Sequence, residues 1–572
     1  MAYLPFSSEY DKHPVIAIHG LECEIFSSVH AIIAELKKIR SGVLAFEVYP
    51  GCDLAQLKAL ILDELDADLV INVESYMKPK KMLEELLRPF VTEDRVFGTM
   101  CPYEVSDFYQ QEQILALKEE LRHVKGKVII YGFGSVQIPY DHLVYLDINR
   151  WEIQLRFRQG MPNITAENGD EDVLRKFKRG YFVEWRVADR IKLAHYLQSD
   201  YLIDGNDPGQ PCMITGRSFR IALDEIVSRP FRLTPYFDPG VWGGNWMEEV
   251  CKLEKAENNY AWAFDGVPEE NSLCLHFGTA IFHFPAMNVV LFRPIELLGK
   301  KVVDRFGAEY PIRFDFLDTM GGGNLSLQVH PLPDYIKNTF GMKYTQDESY
   351  YILDAMPDSV VYLGLKDKVD PASFIRDLEN ANQGLSDFPD DKYINHFPAK
   401  KHDHFLIPAG TVHCSGKNTM VLEISSTPYI FTFKLWDWGR LGLDGLPRPV
   451  HINHGKNVIQ YDRTTDWVKA NLINRVEPLS IVEERTGLHE LEFIETHRFT
   501  FRSVVTVNTH GSFNQCNLVS GRSAIITDPN NKFQPFEVHY AETFIIPESI
   551  RQFRIEPKYA QEECMMIQAY VR

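Results

Sequence analysis

Leu325-Ser326-Leu327-Gln328-Val329-His330-Pro331 alternates apolar and polar residues. As a strand, it sends Gln328 and His330 out of one face. Further along, Ile407-Pro408-Ala409-Gly410-Thr411-Val412-His413 uses Pro and Gly for a sharp entry and sets a histidine at its end. The strand-like Met420-Val421-Leu422-Glu423-Ile424 follows it, and between the two lies Asp347-Glu348-Ser349-Tyr350-Tyr351-Ile352-Leu353, an apolar strand opened by acids. Brought together from separate strands, Gln328, His330, Glu348 and His413 make a nitrogen–oxygen donor set suited to a divalent transition metal with an open position. A single histidine is more often structural than a ligand. The words around these residues select the metal reading.

Those words resemble the type I mannose-6-phosphate isomerases, a zinc-dependent cupin family. Pro239-Gly240-Val241-Trp242-Gly243-Gly244-Asn245-Trp246-Met247 is similar to the family's opening motif. Tyr260-Ala261-Trp262, Phe316-Leu317-Asp318, residues 328–331, 348–354 and 408–413, Leu422-Glu423-Ile424 and Lys434-Leu435-Trp436-Asp437-Trp438-Gly439-Arg440 follow in family order. The resemblance covers residues 235–572. It implies an all-β double cupin (two jelly-roll barrels) with one Zn2+ per chain on Gln328, His330, Glu348 and His413. It also implies interconversion of mannose 6-phosphate and fructose 6-phosphate through a metal-stabilised enediol(ate), with a small sugar phosphate as partner. Two positions depart from the pattern. The family's Lys two residues before the metal Glu is Gln346 here, and the nearest cation is Lys343. The family's active-site Arg aligns with Lys434, and Arg440 matches the closing Arg of its motif. Lys343, Lys434 and Arg440 are the expected catalytic cations. Lysine loses the bidentate fork of arginine, but its amine can be tuned as acid or base.

A chain of 572 residues exceeds what one core can organise. A net charge of −19 argues against nucleic acid or an anionic membrane surface as partner, without excluding a local basic pocket for a sugar phosphate. Nine scattered cysteines with no CxxC word read as reduced thiols. Cys414 adjoins His413 but points to the opposite face of an extended chain, so it stays outside the ligand set. Residues 1–6 lack the basic and apolar regions of a signal peptide. The apolar run 279–292 is broken by His283, Pro285 and Asn288 and falls short of a membrane span. A soluble, cytoplasmic protein is expected.

Ahead of the resemblance the pattern changes. Strand-like runs at 14–20, 43–48, 69–73, 127–132 and 143–147 alternate with helix-like runs at 28–38, 53–65, 81–87 and 111–124, which predicts a doubly wound parallel α/β sheet. The strand–Gly20–helix unit resembles P-loop nucleoside kinases of the uridine-kinase type, which need G-x4-G-K-[ST] to cradle phosphates. Gly20 and Ser27 are kept, but Ile25 and Phe26 replace the second Gly and the Lys. A degenerate kinase-like domain without phosphoryl transfer is therefore expected. The Arg/Trp-rich connector that follows (Arg150, Trp151, Arg156, Arg158, Trp185, Arg186, Arg190) reads as arginines paired with acids, with an anion site as the sharper alternative. The expected domains are 1–228, 229–460 with a helical insertion at 371–382, and 461–572 made of short strands only. In the last, Ile546-Pro547-Glu548-Ser549-Ile550-Arg551-Gln552 mimics residues 407–413, with Gln552 in place of the histidine. That suggests a second cupin-like barrel lacking metal ligands. Two further readings stay open on sequence: a sugar-binding regulatory protein with degenerate catalytic positions, and a sugar kinase–isomerase fusion, which Phe26 opposes.

Overall fold

The computed structural model describes every residue except Met1, Ala2, Thr165, Pro428 and Leu488. The chain divides into two compact units, Val15–Ile226 with Pro268–Arg293, and Met1–Pro14 with Val227–Val267 and Pro294–Arg572.

The first unit is α/β. Its seven-stranded sheet runs Ile25–Phe26, Cys212–Thr215, Tyr201–Asp204, His142–Asp147, Gly42–Val48, Lys127–Gly132, Leu69–Asn72. The last five are mutually parallel, and the first two are antiparallel additions at one edge. Runs such as Val-Ile-Ile-Tyr and Leu-Val-Tyr-Leu are apolar on both faces because helices cover both sides of a parallel sheet. Asp53 caps Leu54–Leu60 by accepting from Gln56 N at 2.9 Å, and Ser28 caps Val29–Leu36 in the same way.

Two expectations are corrected in this unit. The strand before Gly20 shrinks to Ile16–Ala17 and pairs with Ser272–Phe277 in a separate small sheet. Ile25 and Phe26 form an edge strand. Gly20 therefore does not close a central strand into a helix, and the P-loop placement at 20–27 fails on topology as well as on Phe26. The second correction concerns boundaries: Pro268–Arg293 packs here and not with the barrel, whereas Met1–Pro14 packs with the β-rich unit. Buried polar chemistry explains the first assignment. Lys192 Nζ lies 2.8 and 2.9 Å from the Asp147 carboxylate, and the Asn288 amide donates to Asp147 at 2.9 Å and accepts from Lys192 at 3.1 Å. Phe292 stacks on Tyr196, and Phe284 packs edge-on against Phe219. The connector arginines are engaged by acids: Arg150 with Asp189 and Glu269, Arg156 with Glu152, Arg190 with Glu104.

The second unit is built from antiparallel sheets. One six-stranded sheet runs His404–Ile407, Asp347–Ala355, Thr419–Ser426, Arg313–Asp318, Trp262–Gly266, Tyr236–Asp238. A five-stranded sheet, Ile394–Pro398, Val360–Leu365, His413–Ser415, Leu327–Val329, Phe433–Trp436, faces it across the candidate site. The helix Pro371–Asn382 forms as expected, with Asp370 as its cap. A second pair of sheets, led by Ile494–Phe501 with Cys564–Val571 and by Ser523–Thr527 with Gln552–Pro557, encloses Phe499, Phe544, Met566, Ile526, Phe553 and Ile555. The all-strand reading of 461–572 is corrected at its start, where Thr465–Asn471 is helical. Strand Thr543–Ile546 ends and Gln552–Pro557 begins where His404–Ile407 ends and His413–Ser415 begins in the first barrel, and Gln552 is exposed. Among the described residues no helix is long and apolar enough to cross a membrane.

Candidate metal centre

Gln328 stands directly opposite His413 on one neighbouring strand and opposite Lys434 on the other. Directly opposed residues of antiparallel strands share a face, so His413, Gln328 and Lys434 form a row. His330 follows two residues after Gln328 on the same side, and Glu348 arrives from the facing sheet. Ligand atoms of His330, Glu348 and His413 all lie within 4.8 Å of one another. The three are fully buried and Gln328 is nearly so.

Hydrogen bonds to backbone carbonyls settle the tautomers. His330 Nδ1 donates to Phe431 O at 2.9 Å, and His413 Nδ1 donates to Thr411 O at 2.8 Å. In its neutral form each ring then presents the Nε2 lone pair to the cluster. Yet His330 Nε2 lies 3.0 Å from Glu348 Oε2, and His413 Nε2 lies 2.6 Å from Glu348 Oε1. With both rings neutral these are acceptors facing acceptors, a contact that a proton on an imidazole or a bound cation would relieve. His330 Nε2 and Glu348 Oε1 have no aligned hydrogen-bond partner, an arrangement costly in a dry interior unless a cation sits between them. Gln328 Nε2 is 3.2 Å from His413 Nε2, and a flip of its amide would offer the carbonyl oxygen instead. Two imidazoles, one carboxylate and an amide oxygen thus fit a divalent cation. Burial alone would raise the Glu348 carboxyl, but the two imidazoles outweigh it and hold it below the usual carboxylate range. Burial lowers His330, and Glu348 more than reverses that.

Supporting residues that the sequence reading did not pick out complete the site. Gln346, noticed only as a missing lysine, donates to Glu348 Oε2 at 3.2 Å and accepts from Phe431 N at 3.1 Å. It thereby couples Glu348 to the segment that holds His330. Asp347 accepts from Ala409 N at 2.7 Å, and Arg463 donates to the carbonyls of Pro408 and Ala409, each at 2.7 Å. Together they clamp the turn that delivers His413. On Glu348's face of its sheet, Tyr350 stands opposite Glu423, which stands opposite Asp315. Burial, with Glu348 and Asp315 adding to it, pushes the Glu423 carboxyl well up. Glu423 lay inside a family word without a role. Only sheet register puts it beside Glu348.

The expected cations separate. Lys434 is partly buried in the ligand row. Lys343 is exposed and pairs with Glu309 at 2.7 Å, with no hydrogen bond or ion pair to the cluster, which corrects its expected role. Arg440 is spent on structure: it donates to Asn324 O at 2.7 Å and grips Asp437. That corrects the catalytic expectation for Arg440.

Glu492 is buried with neither carboxylate oxygen hydrogen-bonded. Burial first, then Asp347, pushes its pKa well up. In the unfolded chain a glutamate titrates near about 4.3. Above that pH the native state retains a proton the unfolded state has released, so this group costs stability increasingly as pH rises toward its folded pKa. Glu492→Gln should match the parent's thermal stability near pH 4 and exceed it progressively up to pH 8. A melting-temperature difference independent of pH would contradict this.

A family described as a domain of unknown function (DUF8485) matches residues 28–228. The chain is similar to the probable mannose-6-phosphate isomerase GmuF of Bacillus subtilis, 23% identical over 58% of this chain and 97% of that protein. It is also similar to the mannose-6-phosphate isomerase of Streptococcus mutans, 20% identical over 58% of this chain and 96% of that one. Among solved structures, the mannose 6-phosphate isomerase of Bacillus subtilis superposes with a TM-score of 0.49 at 17% identity, covering 60% of this chain and 99% of that one. The proteins this chain is similar to in sequence across nearly their whole length are thus named mannose-6-phosphate isomerases.

Proposed function

We propose that this protein is a zinc-dependent aldose–ketose isomerase that interconverts mannose 6-phosphate and fructose 6-phosphate. The observation that supports the metal-dependent part is the buried meeting of two imidazole nitrogens with a carboxylate, a donor set that a divalent cation would reconcile. The names of the sequence relatives support the substrate. In this reading the small sugar phosphate is the partner, and neither nucleic acid nor a membrane surface is involved.

Gln328, His330, Glu348 and His413 would hold the zinc. When bound, it supplies positive charge next to the sugar oxygens that become negative as carbon is deprotonated. The chain's own residues move the protons. Lys434 would take the proton from C2 of the aldose and return it to C1. Glu423, whose buried carboxyl is pushed well up, would give a proton to O1 and recover one from O2. Atoms and electrons balance without an oxidant, and the product is the ketose. Gln346 and Arg463 orient the ligands and touch no reacting atom.

The test is interconversion of the two hexose phosphates by chelator-stripped and zinc-reloaded protein. Turnover that returns only with metal supports the proposal. Full metal occupancy with no turnover of either substrate rejects it. Lys434→Met should lower kcat by about 10²–10⁴-fold, the range of general acid–base catalysis, while zinc stoichiometry stays unchanged. Unchanged kcat would remove Lys434 from the mechanism.

A further inference from the structure

The α/β unit contains a cavity of about 680 Å³. Its position follows from strand order. After Gly42–Val48 the chain crosses toward Leu69–Asn72 on one side, and after His142–Asp147 it crosses toward Tyr201–Asp204 on the other. Connections that diverge from adjacent parallel strands leave a crevice at their carboxyl ends, where α/β sheets bind ligands. The cavity is lined by the loop after the first of these strands (Val48 to Leu54) and by Glu152, Ile153, Arg156 and Phe157 from the helix after the second. Its volume is within the ~300–1,000 Å³ range of small-molecule sites.

Two features show that the wall is shaped. The helix Val173–Arg179 passes through a π-helical turn, Gly180–Glu184, before continuing as Trp185–His195, and this turn brings Glu184 and Trp185 to the cavity. Single π turns inside helices recur at functional sites. A Cβ on Gly180 would come within 3.2 Å of the Trp185 ring, so glycine is needed for that approach. The indole Nε1 of Trp185 is buried with no hydrogen-bond partner among the described residues. Opposite, Glu74 Oε1 accepts from Phe133 N at 2.9 Å, and Glu47 holds the next turn through Gly134 N and Val136 N at 2.7 and 3.0 Å.

The lining chemistry excludes a phosphate and fits a polyol. Arg156 is the only cationic side chain among the described lining residues. It is committed to the carbonyls of Gly51, Gly205 and Asn206, each at 2.9 Å, and to Glu152 at 3.0 Å. Acids outnumber it: Asp53, Glu74, Glu152 and Glu184. The short helix that opens here is already capped by Asp53. A cationic ligand is also disfavoured: Glu152 and Glu184 pair with Arg156 and Arg179, Asp53 is spent on the helix cap, and Glu74 is held by Phe133 N where burial raises its carboxyl. What remains is a mixture of acceptor and amide donor, from Glu74 and Gln159, beside the rings of Tyr49, Phe133 and Trp185. Hydroxyl groups that both donate and accept, carried on a ring with apolar C–H faces, match that mixture. We infer that this cavity binds an uncharged saccharide, independently of the metal centre and of the isomerase reading.

The test uses the full-length, zinc-loaded protein labelled with 5-fluorotryptophan. Of the eight tryptophans only Trp151 and Trp185 belong to the α/β unit, so Trp185→Phe assigns the reporting resonance. Mannose, fructose, mannobiose and cellobiose are titrated beside ATP, mannose 6-phosphate and inorganic phosphate. At least one neutral sugar should shift the Trp185 resonance saturably while the phosphorylated compounds do not. Calorimetry with Glu74→Gln and Gln159→Ala should show at least tenfold weaker binding of that sugar, with isomerase turnover unchanged. A Trp185 shift from ATP or phosphate, or none from any of the sugars, overturns the inference.

Discussion

Glu348→Gln is expected to empty the metal centre and reduce isomerase turnover by about 10³–10⁴-fold, equivalent to several kcal/mol of lost charge stabilisation. The same substitution should leave the metal-free protein at least as stable. In the parent, the Glu348 carboxylate meets His413 Nε2 at 2.6 Å and His330 Nε2 at 3.0 Å, with both imidazoles tied through Nδ1 to carbonyls. A glutamine amide puts an N–H donor among those lone pairs and relieves the conflict without a cation. The two effects are read separately, by metal content per chain and by melting temperature with and without zinc. Zinc should raise the parent's melting temperature by mass action and leave that of the variant unmoved. A variant that still holds one equivalent of zinc would show that the carboxylate is not a ligand. His330→Ala with His413→Ala should lose the same metal and activity, at a cost in stability from the cavities left.

The largest loss of stability is expected at Arg232. Its guanidinium is buried, 2.7 Å from Glu542 and 3.5 Å from Asp265, with further bonds to the carbonyls of Asp11 at 2.9 Å and Thr543 at 3.2 Å. It ties the amino-terminal segment, the strand Trp262–Gly266 and the second barrel into one unit. Burial raises Asp265 to about 7 even with Arg232 beside it. Arg232→Met would strand two buried acids, at a cost of about 3–5 kcal/mol for breaking a buried ion pair. The deficit should shrink as pH falls through the carboxylate range, because the stranded acids can then protonate. Calorimetry on the parent and variant at pH 5 and pH 8 measures both effects. A loss below 1 kcal/mol at pH 8 would mean that solvent reaches the pair.

Local sequence carried the four candidate ligand positions because each sits in a word with its own backbone logic. Alternation in Leu327-Gln328-Val329-His330 and the Pro-Gly turn before His413 both depend only on neighbours a few residues away. Alternating strands and helices likewise announced the parallel sheet of the first unit, and the helical insertion expected at 371–382 is the helix Pro371–Asn382.

What needed the tertiary structure was everything set by long-range pairing. Lys434 and Lys343 are both lysines near metal words, but only strand register puts Lys434 opposite Gln328 and leaves Lys343 with Glu309. Arg463 and Gln346 carry no motif; they matter because they reach carbonyls and carboxylates distant in the chain. The hairpin within Pro268–Arg293 reads as barrel strand by composition, and long-range contacts such as Asp147–Lys192–Asn288 and Phe284–Phe219 assign it to the α/β unit. A run of fourteen residues specifies whether it is extended. Which sheet it extends depends on charge and packing that other parts of the chain supply.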